Sequence, residues 1–101
     1  AAYKTSVPNR VILSSITKKN STTIEVKWKR ASVGSGYQIM CAANKSFTFD
    51  VRNAEVRGRK SVSWTTGALK KGNTYYVKIR AYKVTGNYMY GQWSTVKKIK
   101  I

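Results

Sequence analysis

Few side chains in this sequence could carry out acid–base, nucleophilic or metal chemistry. The chain has no histidine, one cysteine (Cys41) and three acidic residues, Glu25, Asp50 and Glu55. Histidine is the residue whose ordinary pKa lies nearest neutral pH, so proton transfer lacks its usual agent. No residue supplies a base for Cys41, and we expect it to be a buried, inert side chain within a strand.

The three carboxylates do not match a known catalytic or metal-binding pattern. A glycosidase needs two carboxylates about 5–10 Å apart in a cleft. Glu25 falls on the outward side of one strand, whereas Asp50 and Glu55 fall near one edge segment. A metal site needs cysteine, histidine or clustered carboxylate ligands. We therefore expect no catalytic residue, no metal, no cofactor and no small-molecule substrate.

Alternating tyrosine and basic residues form the first candidate binding surface. The outward positions of one strand-like run are occupied by Tyr76, Lys78, Arg80 and Tyr82. Basic groups can pair with phosphate or sulfate while tyrosine rings pack against bases or sugars. These residue types equally suit a plain strand surface, because tyrosine favours strands and lysine covers exposed sheet. The sequence leaves both interpretations open.

A second candidate is an aromatic loop near the end of the chain, formed by Tyr88, Tyr90 and Trp93 around Gly91. Exposed rings in such a loop could stack on sugar rings or contact a neighbouring module. Alternatively, Tyr90 and Trp93 fold back onto the domain and contribute to its packing.

The charge balance is extreme, since 20 lysine and arginine residues face 3 acids and give a net charge of +17. Such a surface attracts polyanions such as nucleic acid, teichoic acid, sulfated glycans or acidic membranes. Lysine also protects sheet edges and keeps a protein soluble. Charge concentrated on one sheet would favour a binding function, whereas charge spread around the domain would favour a spacer.

The apolar residues recur with a period of two, which predicts strands rather than helices. In residues 22–29, Ile24, Val26 and Trp28 alternate with charged residues. Turns rich in glycine and asparagine separate about seven such strands. We predict an all-β, seven-stranded antiparallel Greek-key sandwich that forms a single domain over residues 1–101, with a loop and a short edge strand within residues 43–57.

Residues 69–82, which read Leu-Lys-Lys-Gly-Asn-Thr-Tyr-Tyr-Val-Lys-Ile-Arg-Ala-Tyr, resemble the fibronectin type III signature. Trp28 lies where that family has a core tryptophan, Pro8 matches its proline before the first strand, and residues 91–94 resemble the start of its last strand. The resemblance implies an immunoglobulin-like sandwich. It also implies that Tyr75 forms a tyrosine corner, with its hydroxyl hydrogen-bonded to the backbone.

The resemblance further implies a non-catalytic module taken from a longer multidomain protein. The lysine-rich, acid-poor style looks like modules of Gram-positive bacterial surface proteins and secreted polysaccharide-degrading enzymes. We expect an extracellular, monomeric spacer or scaffold whose partners are the neighbouring domains of its own chain. The alternative is a module that binds anionic cell-wall polymer, glycosaminoglycan, other carbohydrate or nucleic acid. No apolar run is long enough to span a bilayer, so we expect no membrane insertion.

Overall fold

The computed structural model describes residues 10–101, and its secondary structure consists of strands. The expected position of Pro8 lies outside the described residues. Among the described residues, no helix is long and apolar enough to cross a bilayer. The strands are β1 (Leu13–Lys18), β2 (Ile24–Trp28), β3 (Gly36–Ala42), β4 (Arg52–Arg57), β5 (Ser63–Thr65), β6 (Thr74–Thr85), β7 (Asn87–Tyr90) and β8 (Lys97–Lys100).

These strands form two antiparallel sheets that enclose one core. One sheet has the order β1-β2-β5, and the other has the order β4-β3-β6-β7, with β8 also paired to β6. The chain changes sheet between β2 and β3, between β4 and β5, and between β5 and β6, which produces Greek-key connections. The predicted all-β sandwich is confirmed, and β4 is the edge strand expected within residues 43–57.

The structure has eight strands rather than the predicted seven because the last strand is interrupted. β7 pairs with residues 82–85 of β6, and β8 pairs with residues 74–77 on the same side of that strand. Between them, the N–H of Gly91 donates to the carbonyl of Ala81 at 2.9 Å, and the N–H of Ser94 donates to that of Ile79 at 2.8 Å. Tyr88 and Tyr90 therefore lie in a strand rather than in the predicted loop, and only Trp93 lies in the irregular segment.

The core follows the predicted alternation of side chains. Trp28 is 3% exposed, its Nε1 donates to the carbonyl of Ser61 at 3.0 Å, and its ring centroid lies 5.2 Å from that of Tyr37. Burying each large apolar side chain stabilises the fold by about 1.5–3 kcal/mol. The members of the core that are completely or nearly completely buried include Ile24, Val26, Tyr37, Ile39, Cys41, Tyr75, Val77 and Ile79.

Cys41 faces the core, as predicted, and is fully buried. Burial raises the pKa of its thiol to about 11, and the nearby positive charge of Arg52 offsets only part of that rise. The reactive form of cysteine is the thiolate, so a buried thiol with this pKa is unreactive at neutral pH.

Tyr75 forms the expected corner. Its hydroxyl accepts a hydrogen bond from the backbone N–H of Lys70 at 3.0 Å, which confirms the predicted bond to the backbone. The hydroxyl also donates to Asp50 Oδ2 at 2.7 Å, a contact that the sequence did not reveal. This one oxygen therefore ties the loop before β6 to the loop between β3 and β4.

Replacing Tyr75 with phenylalanine is expected to lower the free energy of unfolding by about 1–3 kcal/mol, because it leaves the Lys70 N–H without its partner. Tyr76→Phe is the matched control, since the Tyr76 hydroxyl makes no hydrogen bond within residues 10–101. That variant should change stability by less than about 0.5 kcal/mol. Urea unfolding of both variants measures the difference, and equal stabilities would contradict the corner.

Candidate functional site

The outer face of the larger sheet carries the predicted binding residues of β6 and β7, and Trp93 lies in the irregular segment that follows β7. The strand register sets them in rows, since Gln38 lies between Glu55 and Arg80, and Met40 lies between Asn53 and Lys78. β7 adds Tyr88 and Tyr90 to the same face, next to Val84 and Tyr82. We call this surface the outer face, and its members are Gln38, Met40, Asn53, Glu55, Tyr76, Lys78, Arg80, Tyr82, Tyr88 and Tyr90.

The structure brings together the four residues predicted as a solvent-facing polyanion surface, but it does not leave them all open to solvent. Tyr76, Lys78 and Arg80 are only partly buried, whereas Tyr82 is 3% exposed. The rings of Tyr88 and Tyr90 cover Tyr82, with centroids 5.1 and 6.5 Å away. The prediction that Tyr82 faces solvent is therefore wrong, because side chains of the neighbouring strand β7 cover its ring.

Lys78 and Arg80 are held between aromatic rings. The Nζ of Lys78 lies 4.4 Å from the Phe47 centroid and 4.5 Å from the Trp93 centroid. The Cζ of Arg80 lies 4.3 Å from the Trp93 centroid and 3.8 Å from the Tyr90 centroid. We call this arrangement the cation–aromatic stack. The ring face attracts each cation, so both basic groups already have partners within the domain.

The stack shows where Trp93, one of the predicted aromatic-loop residues, lies. Trp93 is partly buried and lies against the sheet between the two cations, so it folds back onto the domain. Tyr88 and Tyr90 remain 46% and 41% exposed, and their rings stack with centroids 6.0 Å apart. Burial lowers the pKa of Arg80 from its ordinary value, and the nearby Tyr90 offsets part of that lowering.

Phe47 is a member of the stack that the sequence did not reveal. It lies in the β3–β4 loop with a positive φ of 55°. The carboxamide of Asn44 holds this loop, since its Oδ1 accepts from the N–H groups of Thr48 at 2.9 Å and Phe49 at 3.2 Å. Asparagine commonly bonds backbone groups a few residues on. That tendency indicates a turn here, but it does not indicate where the Phe47 ring lies.

Glu55 forms a second polar centre on the outer face that sequence reasoning assigned to no site. Its Oε2 accepts from the hydroxyl of Tyr82 at 3.0 Å and from that of Tyr88 at 3.5 Å, and Arg57 Nε lies 3.6 Å away. Burial and the hydrogen bond to Glu55 raise the pKa of Tyr82 to about 12. The Tyr82 hydroxyl is therefore a permanent donor at neutral pH.

Gly36 allows the Tyr82 ring to reach Glu55 across β3. A Cβ atom at Gly36 would collide with the carbonyl oxygen of Val56 and would lie 2.7 Å from the Tyr82 hydroxyl. Any larger residue would therefore displace either the β4 backbone or the ring. Glycine at this position lets an aromatic side chain of one strand lie over the backbone of the next strand.

Lysine side chains without a ring or carboxylate partner among the described residues lie on the larger sheet beside β8. A groove of about 350 Å³, which we call the lysine groove, is lined by Lys45, Tyr76, Val96 and Lys98. Ion pairs between described residues join Lys27 to Glu25, Arg52 to Asp50 and Arg57 to Glu55. Each carboxylate side chain therefore has another partner, and the two lysines of the groove have none within residues 10–101.

The described part of the chain contains no group of three or more histidine, cysteine, aspartate or glutamate residues that could hold a metal ion. The acidic side chains are instead used in hydrogen bonds to tyrosine and in ion pairs with basic neighbours.

Comparison with protein families matches the model of the fibronectin type III domain to residues 8–97. The chain belongs to the fibronectin type III family. Its members are modules for scaffolding or interaction, are generally non-catalytic, and are typically found within multidomain chains. Comparison with curated protein sequences gave no significant match.

Several solved structures of fibronectin type III domains are similar to this chain. The FN5 domain of Drosophila Lar is 22% identical, with a TM-score of 0.71, and the match covers 93% of this chain and 96% of that one. The FN1–FN3 segment of chicken CNTN1 is 26% identical, with a TM-score of 0.70, over 95% of this chain and 32% of that one. The sixth such domain of human fibronectin type III domain containing protein 3 is 16% identical, with a TM-score of 0.72, over 99% and 91% of the two chains. At these sequence identities the similarity shows a shared fold.

A double-mutant cycle tests the cation–aromatic stack. Trp93→Leu and Arg80→Met are expected to show a coupling free energy of about 0.5–2 kcal/mol in urea unfolding, because each removes one side of the same ring–cation contact. Pairing Trp93→Leu with Lys27→Met is the control, since Lys27 lies on the other sheet beside Glu25. The control coupling should stay within about 0.5 kcal/mol. Equal coupling in both cycles would show that the ring does not hold the guanidinium.

Proposed function

We propose that this domain is a non-catalytic spacer or scaffold module that links other domains of a multidomain protein. The observation that supports this most directly is the path of the chain. Ile12 accepts a hydrogen bond from the N–H of Lys29 beside the β2–β3 loop, whereas Ile101 is bonded to Gly72 and Asn73 in the β5–β6 loop. These loops lie at opposite ends of the sandwich, because successive antiparallel strands run back and forth between the two ends. Neighbouring domains attached at the two ends would be held apart.

The distribution of charge is compatible with the same function. At the end where the described chain begins, the loops carry Lys29, Arg30, Arg59 and Lys60. At the opposite end, the turns and loops carry Lys19, Lys45, Lys70 and Lys71. Positive charge therefore surrounds the domain instead of being gathered on one sheet. A distributed charge of one sign keeps a domain soluble and opposes its self-association, which supports a monomer.

An extracellular location and a bacterial source belong to the same proposal. Fibronectin type III domains are often extracellular. The abundance of lysine over acidic residues is the feature that supports a Gram-positive surface protein or secreted polysaccharide-degrading enzyme as the parent. In either parent, the partners of this module would be its neighbouring domains, and the catalytic or adhesive function would lie in those domains.

Two measurements test the spacer function. Small-angle scattering of two copies joined head to tail should show an extended particle, because the chain enters and leaves at opposite ends. The full-length protein should carry an export signal together with a wall anchor or a catalytic or adhesive domain. A compact side-by-side pair would contradict the spacer, and a full-length chain without an export signal would contradict the location.

A second function, binding of an anionic cell-wall polymer or glycan, is favoured by the lysine groove. Lys45 and Lys98 are exposed and flank Tyr76 and the 49% exposed side chain of Val96. Such a groove offers two cations for phosphate, sulfate or carboxylate groups and an apolar surface for a sugar ring. We propose that any polyanion site centres on Tyr76 and these lysines.

Charge reversal tests this second function. Lys45→Glu with Lys98→Glu should weaken the binding of heparin or wall teichoic acid at near-physiological salt more than Lys18→Glu with Lys19→Glu does. Both pairs change the net charge equally, so a difference reports the site rather than the overall field. Reversal of Lys78 and Arg80 is less informative, because it would also break the stack. Equal losses would leave only a generic basic surface, and no binding by the unaltered domain would favour the plain spacer.

A further inference from the structure

The outer face contains a concave site at the end opposite to the lysine groove. This cleft of about 250 Å³ is lined by Gln38, Asn53, Ala54, Glu55, Tyr82 and Tyr90, and we call it the tyrosine cleft. It lies where the side chains of the edge strand β4 face the tyrosines of β6 and β7 across the row of β3. Drug-sized ligands occupy roughly 300–1,000 Å³, so a cleft of this size suits a single six-membered ring with its substituents.

One side of the tyrosine cleft is polar and has free hydrogen-bonding capacity. The Oε1 of Gln38 accepts from Arg80 Nε at 2.7 Å, which orients the amide and leaves its NH₂ group available as a donor. The carboxamide of Asn53 has no partner within residues 10–101 and can both donate and accept. The Oε2 of Glu55 accepts from the hydroxyls of Tyr82 and Tyr88, and its Oε1 retains acceptor sites for a ligand.

The other side of the tyrosine cleft is aromatic and rigid. Tyr82 is buried and held by its bond to Glu55, whereas Tyr90 is 41% exposed and packs against the guanidinium of Arg80. The positions of these rings are therefore set before any ligand arrives, which reduces the entropy lost on binding. The exposed, fixed ring of Tyr90 opposite convergent amide and carboxylate groups matches the two surfaces of a sugar, its C–H face and its hydroxyl edge.

The charges around the tyrosine cleft point to a neutral ligand. Among the described residues that line the cleft, only Glu55 is charged, so an anion finds no free cation there to pair with. Arg57 lies 3.6 Å from the same carboxylate, and Arg80 lies over the Tyr90 ring, so a cationic ligand would meet two fixed positive charges. A neutral ring rich in hydroxyl groups avoids both penalties.

We propose that the tyrosine cleft binds one neutral sugar ring of a glycan through Gln38, Asn53 and Glu55 on one side and Tyr90 on the other. The carboxylate and the carboxamides hydrogen-bond the hydroxyl groups, the exposed part of the Tyr90 ring contacts the C–H face, and the buried Tyr82 holds Glu55 in position. This inference does not rest on the spacer function or on the lysine groove, which lies at the other end of the face and selects anions.

Titration of the isolated domain with cellobiose, maltose, lactose and N,N′-diacetylchitobiose, followed by ¹H–¹⁵N NMR, tests the proposal. At least one of these neutral sugars should give saturable shifts centred on Gln38, Glu55 and Tyr82, with a Kd of about 1 mM, as expected for a ligand of this size. The affinity should be almost independent of salt, whereas binding of an anionic polymer falls as salt rises.

Two variants and one control separate the site from the fold. Asn53→Ala and Glu55→Gln should each weaken binding about tenfold, because the first removes a hydrogen-bonding carboxamide and the second replaces an acceptor oxygen that faces the ligand with an NH₂ donor. Glu55→Gln keeps an acceptor for Tyr82, so its spectrum should remain that of the folded domain. Glu25→Gln removes a carboxylate from the opposite sheet and should bind like the unaltered protein.

Three outcomes would overturn the proposal. The first is the absence of saturable shifts with all four sugars, and the second is saturable shifts that map outside the tyrosine cleft. The third is unchanged affinity in both Asn53→Ala and Glu55→Gln. Stronger binding of glucuronate than of the neutral sugars at the cleft would contradict the assignment of a neutral ligand.

Discussion

The register of β6 between its neighbours is the constraint on which the rest of the structure depends. Strand β6 spans Thr74–Thr85 and pairs with β3 on one side and with β7 and β8 on the other. Its odd-numbered residues from Tyr75 to Ala81 are fully buried in the core, and its even-numbered residues from Tyr76 to Tyr82 form the middle of the outer face. A shift of one residue would exchange these two sets and bring lysine and arginine into the core. The hydrophobic core and the candidate binding surface are therefore set by the same pairing.

Positive charge on this surface does not by itself make a polyanion site. Lys78 and Arg80 lie on the outer face of β6, which is the position that a binding strand requires. Their charged groups are nevertheless already in contact with the rings of Phe47, Trp93 and Tyr90. Each contact with a ring replaces part of the hydration of the cation and fixes its side chain. An anion that approached these groups would have to compete with contacts that also hold the interrupted last strand against the sheet. The available cations lie outside the stack, and Lys45 and Lys98 are among them.

The outer face consequently has two ends with different chemistry. At one end, the lysine groove has exposed cations beside an apolar surface. At the other end, the tyrosine cleft combines a carboxylate, two carboxamides and fixed rings. The stack lies between them and separates the acidic Glu55 from the free lysines. A spacer module needs neither feature, whereas a module that touches glycans could use the anionic and neutral parts of a polymer at the two ends of one face.

The sequence by itself determined the fold class, the inward positions of Trp28, Tyr75 and Cys41, the edge strand within residues 43–57 and the common face of Tyr76, Lys78 and Arg80. These features follow from the alternation of side chains along a strand, which is local and can be read from residue types. Only the tertiary structure decided that Tyr82 is buried and that the last strand is interrupted. It also decided that the Phe47 ring contacts Lys78, and that one cleft is lined by Tyr82 together with Gln38, Asn53 and Glu55. Those outcomes depend on which residues lie opposite one another across strands and on where a loop places its side chains. The partners are distant in sequence, with Glu55 and Tyr82 separated by 27 positions, and no local periodicity specifies such a contact.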